Sequence, residues 1–240
     1  MDIVGTTIHT GAINPAGTTY NLAFVKAGLP LGSFYGKFDE GVDPATGNIK
    51  FLQTAAGTDS LGIIGNANPK FTYGMTNSFT YKNFVLDVFI QGVQGNQIFN
   101  ATRILTESMR LGMNQSATVL KRWENPGDIT EMPKAIKNDE TNCYPSTRFI
   151  ENGSFMRIKS VTLGYNIPSA LLSKIKISHL MVYVTTENLL TVTKYSGFDP
   201  EVSAFGSASQ DNTSKNTAPG VDYSTYPQSR DFLFGLSVTF

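Results

Sequence analysis

From Phe71 to Tyr81 the chain alternates between two kinds of side chain, and this feature limits the fold more than any other. Odd positions read Phe71, Tyr73, Met75, Asn77, Phe79 and Tyr81; the even ones between them read Thr72, Gly74, Thr76, Ser78 and Thr80. Successive side chains of a strand point to opposite faces, so this spacing predicts a strand with one apolar face and excludes a helix, whose stripe has a period of about 3.6. The pattern recurs. Phe84, Leu86, Val88 and Ile90 share a face opposite Asn83 and Asp87, although Val85 and Phe89 blur it. Leu180, Val182 and Val184 do the same within 178–190, and Phe232, Phe234, Leu236, Val238 and Phe240 alternate with Leu233, Gly235, Ser237 and Thr239. Between them, Val161, Leu163, Tyr165 and Ile167 form a face, while Met156 and Ile158 lie in the opposite phase. One extra residue restores the phase, which predicts a bulge near Ser160, or emergence of that half from the apolar zone; Pro168 then ends the ladder.

These segments predict one consecutive antiparallel sheet over 71–81, 84–92, 155–167, 178–190 and 231–240. Their connections alternate in length. Around Tyr81–Phe84 a tight hairpin is expected, and 168–177 is a modest turn. By contrast, about 93–149 and about 191–230 are long, polar and rich in Asn, Ser, Thr, Gly and Pro. Loops beyond roughly 12–15 residues are uncommon in compact soluble domains, whereas outer-membrane barrels combine short periplasmic turns with longer extracellular loops. The fold class expected is therefore all-β, an antiparallel transmembrane β-barrel. Residues 1–70 are less periodic and are expected to be mostly an extracellular loop region with short strands; 71–240 would supply the barrel strands and both long loops.

Composition agrees. Charged residues make up only 16% of the chain, against about 25% in typical soluble domains. Nineteen basic and nineteen acidic residues cancel, which gives no basic surface for nucleic acid. No run approaches the 18 or so apolar residues of a membrane helix, but barrel strands need only about 9–11 residues, so a mean hydropathy of -0.12 does not exclude a membrane. Cys143 is the single cysteine, so the chain forms no internal disulfide. Met1 to Gly5 carry neither a basic nor an apolar leader pattern, and the expectation is that an upstream part of a longer protein precedes them.

Ordered motifs then narrow the class. Pro30-Leu31-Gly32-Ser33-Phe34-Tyr35-Gly36 is followed by Gly41-Val42-Asp43-Pro44 and Thr46-Gly47, then Ile64-Gly65-Asn66-Ala67-Asn68-Pro69-Lys70-Phe71. Arg122-Trp123-Glu124-Asn125-Pro126-Gly127-Asp128 lies in the first long loop. Gly153-Ser154-Phe155-Met156-Arg157 leads to Thr162-Leu163-Gly164-Tyr165-Asn166-Ile167-Pro168, and Glu187-Asn188-Leu189-Leu190, Tyr195-Ser196-Gly197-Phe198-Asp199-Pro200 and Tyr226-Pro227-Gln228-Ser229-Arg230 follow. In this order they resemble the C-terminal part of SusC/RagA-like TonB-linked outer-membrane transporters. The resemblance implies a large plugged barrel, for which 22 strands is the general expectation, incomplete in this chain because the plug and N-terminal extension are absent. It implies nutrient import, most often of glycan oligosaccharides and in some members of peptides. The partners implied are a SusD-like surface lipoprotein, TonB through the missing N-terminal part, outer-membrane lipid and the barrel-assembly machinery. Many members carry an acidic calcium-type loop before the Gly65-Asn66 motif; here 53–60 offers only Asp59, so no calcium and no other metal or cofactor is expected.

No enzyme is expected. His9 and His179 lack local ligand spacing, no G-x-S-x-G elbow occurs, and Asp139-Glu140 reads as a solvated pair. Glu187 falls within a strand, where a charge needs water or a partner; a lumenal salt bridge is expected. Trp123, Tyr195, Phe198, Tyr223 and Tyr226 sit in or beside the long loops. Such aromatics can contact cargo or a partner, though packing within the loop is the commoner role. Phe232, Phe234, Leu236, Val238 and Phe240 are expected to face lipid, with Phe240 ending the strand as an assembly signal. The competing class is a soluble β-sandwich carbohydrate-binding module, since alternating strands also build sandwiches.

Overall fold

The computed structural model describes residues 8–14, 18–110, 112–173, 177–203 and 217–240. The opening residues Met1 to Gly5 lie outside them. The chain runs through β1 (Ile8–Ile13), β2 (Tyr20–Val25), β3 (Ser33–Lys37), β4 (Asp39–Val42), β5 (Ile49–Phe51), β6 (Leu61–Asn66), β7 (Phe71–Tyr81), β8 (Phe84–Gln94) and β9 (Gln97–Asn100). It continues through α1 (Thr102–Glu107), β10 (Ile150–Asn152), β11 (Phe155–Asn166), α2 (Ser169–Leu172), β12 (His179–Thr193), β13 (Val221–Asp222) and β14 (Asp231–Thr239). Two units result. One is made of 1–68, 96–153 and 195–226, the other of 69–95, 154–194 and 227–240.

The second unit is a single five-stranded sheet in the order β14-β12-β11-β8-β7, with every neighbouring pair antiparallel. Lys82 and Asn83 alone separate β7 from β8, with Tyr81 opposite Phe84 and Lys82 at φ +52°. The ladder between β11 and both its neighbours shifts between Ile158 and Ser160. That bulge returns Ile158 and Val161 to one face, opposite Ile90 and Val88 respectively. β8 and β12 run further than the alternation indicated, to Gln94 and Thr193. The sheet does not close, and among the described residues β7 and β14 each have one unpaired edge.

The first unit has its own core. Leu22, Ala23, Phe34, Ile64, Phe99, Ile104, Phe149 and Val221 pack with Cys143, Ile13 and Tyr20. Its sheets are β1-β2-β3-β6, β10-β9-β13 and the β4-β5 ribbon. The described residues of 1–70 carry short strands, β1 to β6, four of them in one sheet. Strands buried on both faces do not alternate, which is why β2 reads Tyr-Asn-Leu-Ala-Phe-Val. The first long loop contributes β9, α1 and β10 to this unit.

Candidate functional site

The register of the five-stranded sheet assembles one continuous surface. Phe79 stands opposite Leu86, Leu86 opposite Leu163, Leu163 opposite Val184, and Val184 opposite Phe234. A second row runs Tyr81, Phe84, Tyr165, Val182 and Leu236 by the same pairings. Phe232, Phe234, Leu236 and Val238 are all exposed, Phe234 to 84%, and Phe240 continues their alternation just past β14. Isolated exposed apolar residues are ordinary, but a whole face of them marks an interaction surface. Among the described residues these side chains stay exposed and no second sheet covers them, so the soluble-sandwich alternative is not favoured. Strands of 9–15 residues match or exceed the roughly 9–11 needed to cross a bilayer.

The opposite face carries Thr72, Thr76, Ser78, Asp87, Thr162, Thr185 and Ser237. Ser78 donates to Asp87, and the Thr162 and Thr185 hydroxyls share a hydrogen bond of 2.9 Å. Gly235 lies here opposite Tyr183, whose ring occupies the space a Cβ would take. His179 is exposed and bonds Asn166 at 2.9 Å. The salt bridge expected of Glu187 is not formed among the described residues: it is exposed opposite Asp231, where β14 begins.

The loop aromatics divide. Tyr195 is 6% exposed, and its hydroxyl donates to Asp222 at 2.5 Å. Burial and the neighbouring Asp222 carboxylate push its pKa well above the usual tyrosine value, so it stays the proton donor of the pair. Tyr223 packs half-buried on the core. Trp123 is half-buried; its indole N–H donates to the Pro44 carbonyl at 2.9 Å. A Cβ on Gly47 would lie 2.5 Å from the Trp123 ring, and Gly47 sits at φ +71°, so no other residue fits there unstrained. The motifs at 41–47 and 122–128 thus lock together. Phe198 and Tyr226 are 83% and 89% exposed.

Sequence reasoning missed two polar clusters of the first unit. Arg103 bonds Glu107 at 3.0 Å and Glu151 at 3.1 Å, while Arg148 reaches Glu107 at 3.5 Å. Burial lowers the pKa of Arg148; on Arg103 burial is outweighed by the two carboxylates. Only the spacing of Arg103 and Glu107, one helical turn apart, was visible beforehand. In the other, the Lys37 ammonium lies 3.5 Å from the Tyr144 ring centroid and 4.7 Å from that of Phe51, paired with Asp59 at 2.7 Å. Hydrogen bonds from Lys37 and Gln53 hold the Asp59 carboxyl below its ordinary value. Asp139 and Glu140 are not the free solvated pair expected. Asp139 accepts from the Thr141 N–H and hydroxyl within a tight turn, and Glu140 accepts from the side chains of Thr18 and Arg110, distant in the chain. Among the described residues no three His, Cys, Asp or Glu side chains converge as a metal site.

An antiparallel sheet with a lipid-suited face and a polar reverse face, joined by alternating short and long connections, defines part of an outer-membrane β-barrel. No family model matches the chain. It is 31% identical over 235 residues to TonB-dependent receptor P3 of Formosa agariphila, covering 90% of this chain and 23% of that protein. It is 27% identical over 168 residues to TonB-dependent receptor SusC of Bacteroides thetaiotaomicron, covering 70% and 15%. Among solved structures, that of the RagAB peptide transporter matches with a TM-score of 0.71 and 26% identity, over 91% of this chain and 24% of that one. The RagAB peptide importer in its open-open state matches at 0.72 and 26%, over 91% and 23%. The chain spans under a quarter of the length of these relatives. In sequence and in structure it is similar to one part of the SusC/RagA-like TonB-dependent receptors.

Proposed function

We propose that the chain is the C-terminal barrel wall and associated outer loops of an importer that carries oligosaccharides across the outer membrane, energised through TonB. The observation that carries this reading is the apolar face that continues across five strands of membrane-spanning length, interrupted at Asn77 and Thr186. In this topology Gln94, Phe155, Thr193 and Asp231 mark where the chain leaves and re-enters the sheet at one end, so both long connections fall on the extracellular side. Phe232, Phe234, Leu236, Val238 and Phe240 face lipid, and the opposite face lines the lumen. A SusD-like lipoprotein covers the extracellular mouth; the exposed Phe198 and Tyr226 are the aromatics left for cargo or that partner. Short peptides are the second cargo reading, supported by the likeness to the RagAB peptide transporter.

Energy-dependent uptake of labelled oligosaccharides by cells with and without the full-length receptor tests this. Loss of uptake on deletion, with the receptor in the outer-membrane fraction and showing heat-modifiable gel mobility, is expected. Recovery of the receptor in the soluble fraction would overturn the reading, and uptake of peptides alone would replace the cargo.

A further inference from the structure

The ionised side chains of the five-stranded sheet are sorted by face. Its acidic residues Asp87, Glu187 and Asp231 all take the phase of the polar face: Asp87 stands opposite Ser78 and Thr162, and Glu187 opposite Asp231. The apolar face carries no acidic side chain among the described residues. Two cations continue its phase. Lys194 follows β12 in step with Leu190 and Val192, and Arg230 precedes β14 in step with Phe232. Both lie at the end of the sheet from which the long connections leave; Lys159 falls at the bulge, between the two phases.

The strands make a step at this corner. β14 begins at Asp231, opposite Glu187, whereas β12 continues to Thr193 with that edge unpaired among the described residues. The Asn188 amide donates to the Ser229 carbonyl at 2.8 Å, which holds the approach to β14 against β12. Leu190 and Val192 are exposed on the apolar side of the step, with Phe232 below them. Arg230 lies at its foot and Lys194 at its head. At about 3.3 Å per residue their backbones stand roughly 20 Å apart, and two long side chains reach along the sheet to narrow that gap.

This arrangement is selective. Lys194 and Arg230 are exposed, and among the described residues neither is ion-paired. The carboxylates nearest in register, Glu187 and Asp231, belong to the reverse face. Cations beside an apolar surface carry their heads to the membrane interface, where they attract anionic headgroups. A zwitterionic headgroup brings its own cation, whose repulsion offsets the attraction of its phosphate. At the opposite margin the Lys82 ammonium instead lies 5.3 Å from the Tyr81 ring centroid, engaged with the protein itself.

We propose that the step is a binding site for a phosphate-bearing anionic lipid of the outer leaflet. Arg230 and Lys194 meet its anionic groups, and its acyl chains lie on Leu190, Val192 and Phe232. This rests on the membrane reading above and adds to it a choice among lipids.

The test is native mass spectrometry of the detergent-purified full-length receptor, with phosphorylated lipid A and phosphatidylcholine as probes. The parent is expected to retain lipid A in preference to phosphatidylcholine. Lys194→Gln and Arg230→Gln should each weaken that retention about fivefold, and the double variant roughly 25-fold. Lys194→Arg, which keeps the charge, and Lys82→Gln, at the other margin, should both retain lipid A as the parent does. Heat-modifiable mobility reports whether each variant still forms its barrel. Should the double variant lose it, the comparison of Lys194→Gln with Lys194→Arg decides, and equal loss by those two overturns the site. Equal retention of lipid A by the parent and the double variant, or retention of phosphatidylcholine as strong as that of lipid A, overturns the site and leaves the barrel standing. Recovery of the parent in the soluble fraction overturns the membrane reading and the site together.

Discussion

Tyr195 and Tyr226 look alike in sequence, each an aromatic in a polar loop, yet one is buried on Asp222 and the other projects into solvent. What separates them is a partner 27 residues away, which local pattern does not contain. The same holds for Trp123, whose seat on Gly47 and Pro44 joins stretches 79 residues apart. Side chains that meet across such separations are illegible in one sequence, whereas an alternating face is written in consecutive letters. Tyr195→Phe removes the donor from a buried carboxylate, a loss of about 1–3 kcal/mol in local stability. The expected result is faster limited proteolysis within 191–230 with unchanged heat-modifiable mobility of the barrel. Unchanged proteolysis would show that the bond does not hold this connection.

At the scale of the strand, the sequence was most readable where one face is apolar and the other mostly polar. β7, β14 and the bulge in β11 were all legible because a register slip of one residue exchanges the two faces. β2 and β9, buried on both sides, carried no such signal. The assignment of faces in β14 yields a paired test in the full-length receptor. Phe234 lies opposite Val184 on the apolar face and Ser237 opposite Met181 on the other. Phe234→Arg is expected to cost about 2–4 kcal/mol if near the midplane, and Ser237→Arg clearly less. Denaturant unfolding in lipid vesicles followed by gel mobility measures both, and equal tolerance would remove the lipid-facing assignment.

Across the whole molecule, the chain passes back and forth between the two units, each assembled from three separated stretches. This interleaving sets an order of events during synthesis. Val221, fully buried in the core, pairs through β13 with Phe99 of β9, far upstream in the chain. Leu22, Phe34 and Phe99 are therefore made long before the segment that completes their enclosure. Until it arrives they remain sticky, and such late, long-range contacts are slow to form. A receptor chain halted at residue 194 should consequently show 1–68 and 96–153 open to protease and bound by periplasmic holdases, while one halted after residue 226 should resist cleavage there. Equal protection of the two halted chains would mean that the early strands reach a stable packing without their late partner. The timetable follows from chain order alone: a piece made after residue 194 is the keystone of what was begun before residue 100.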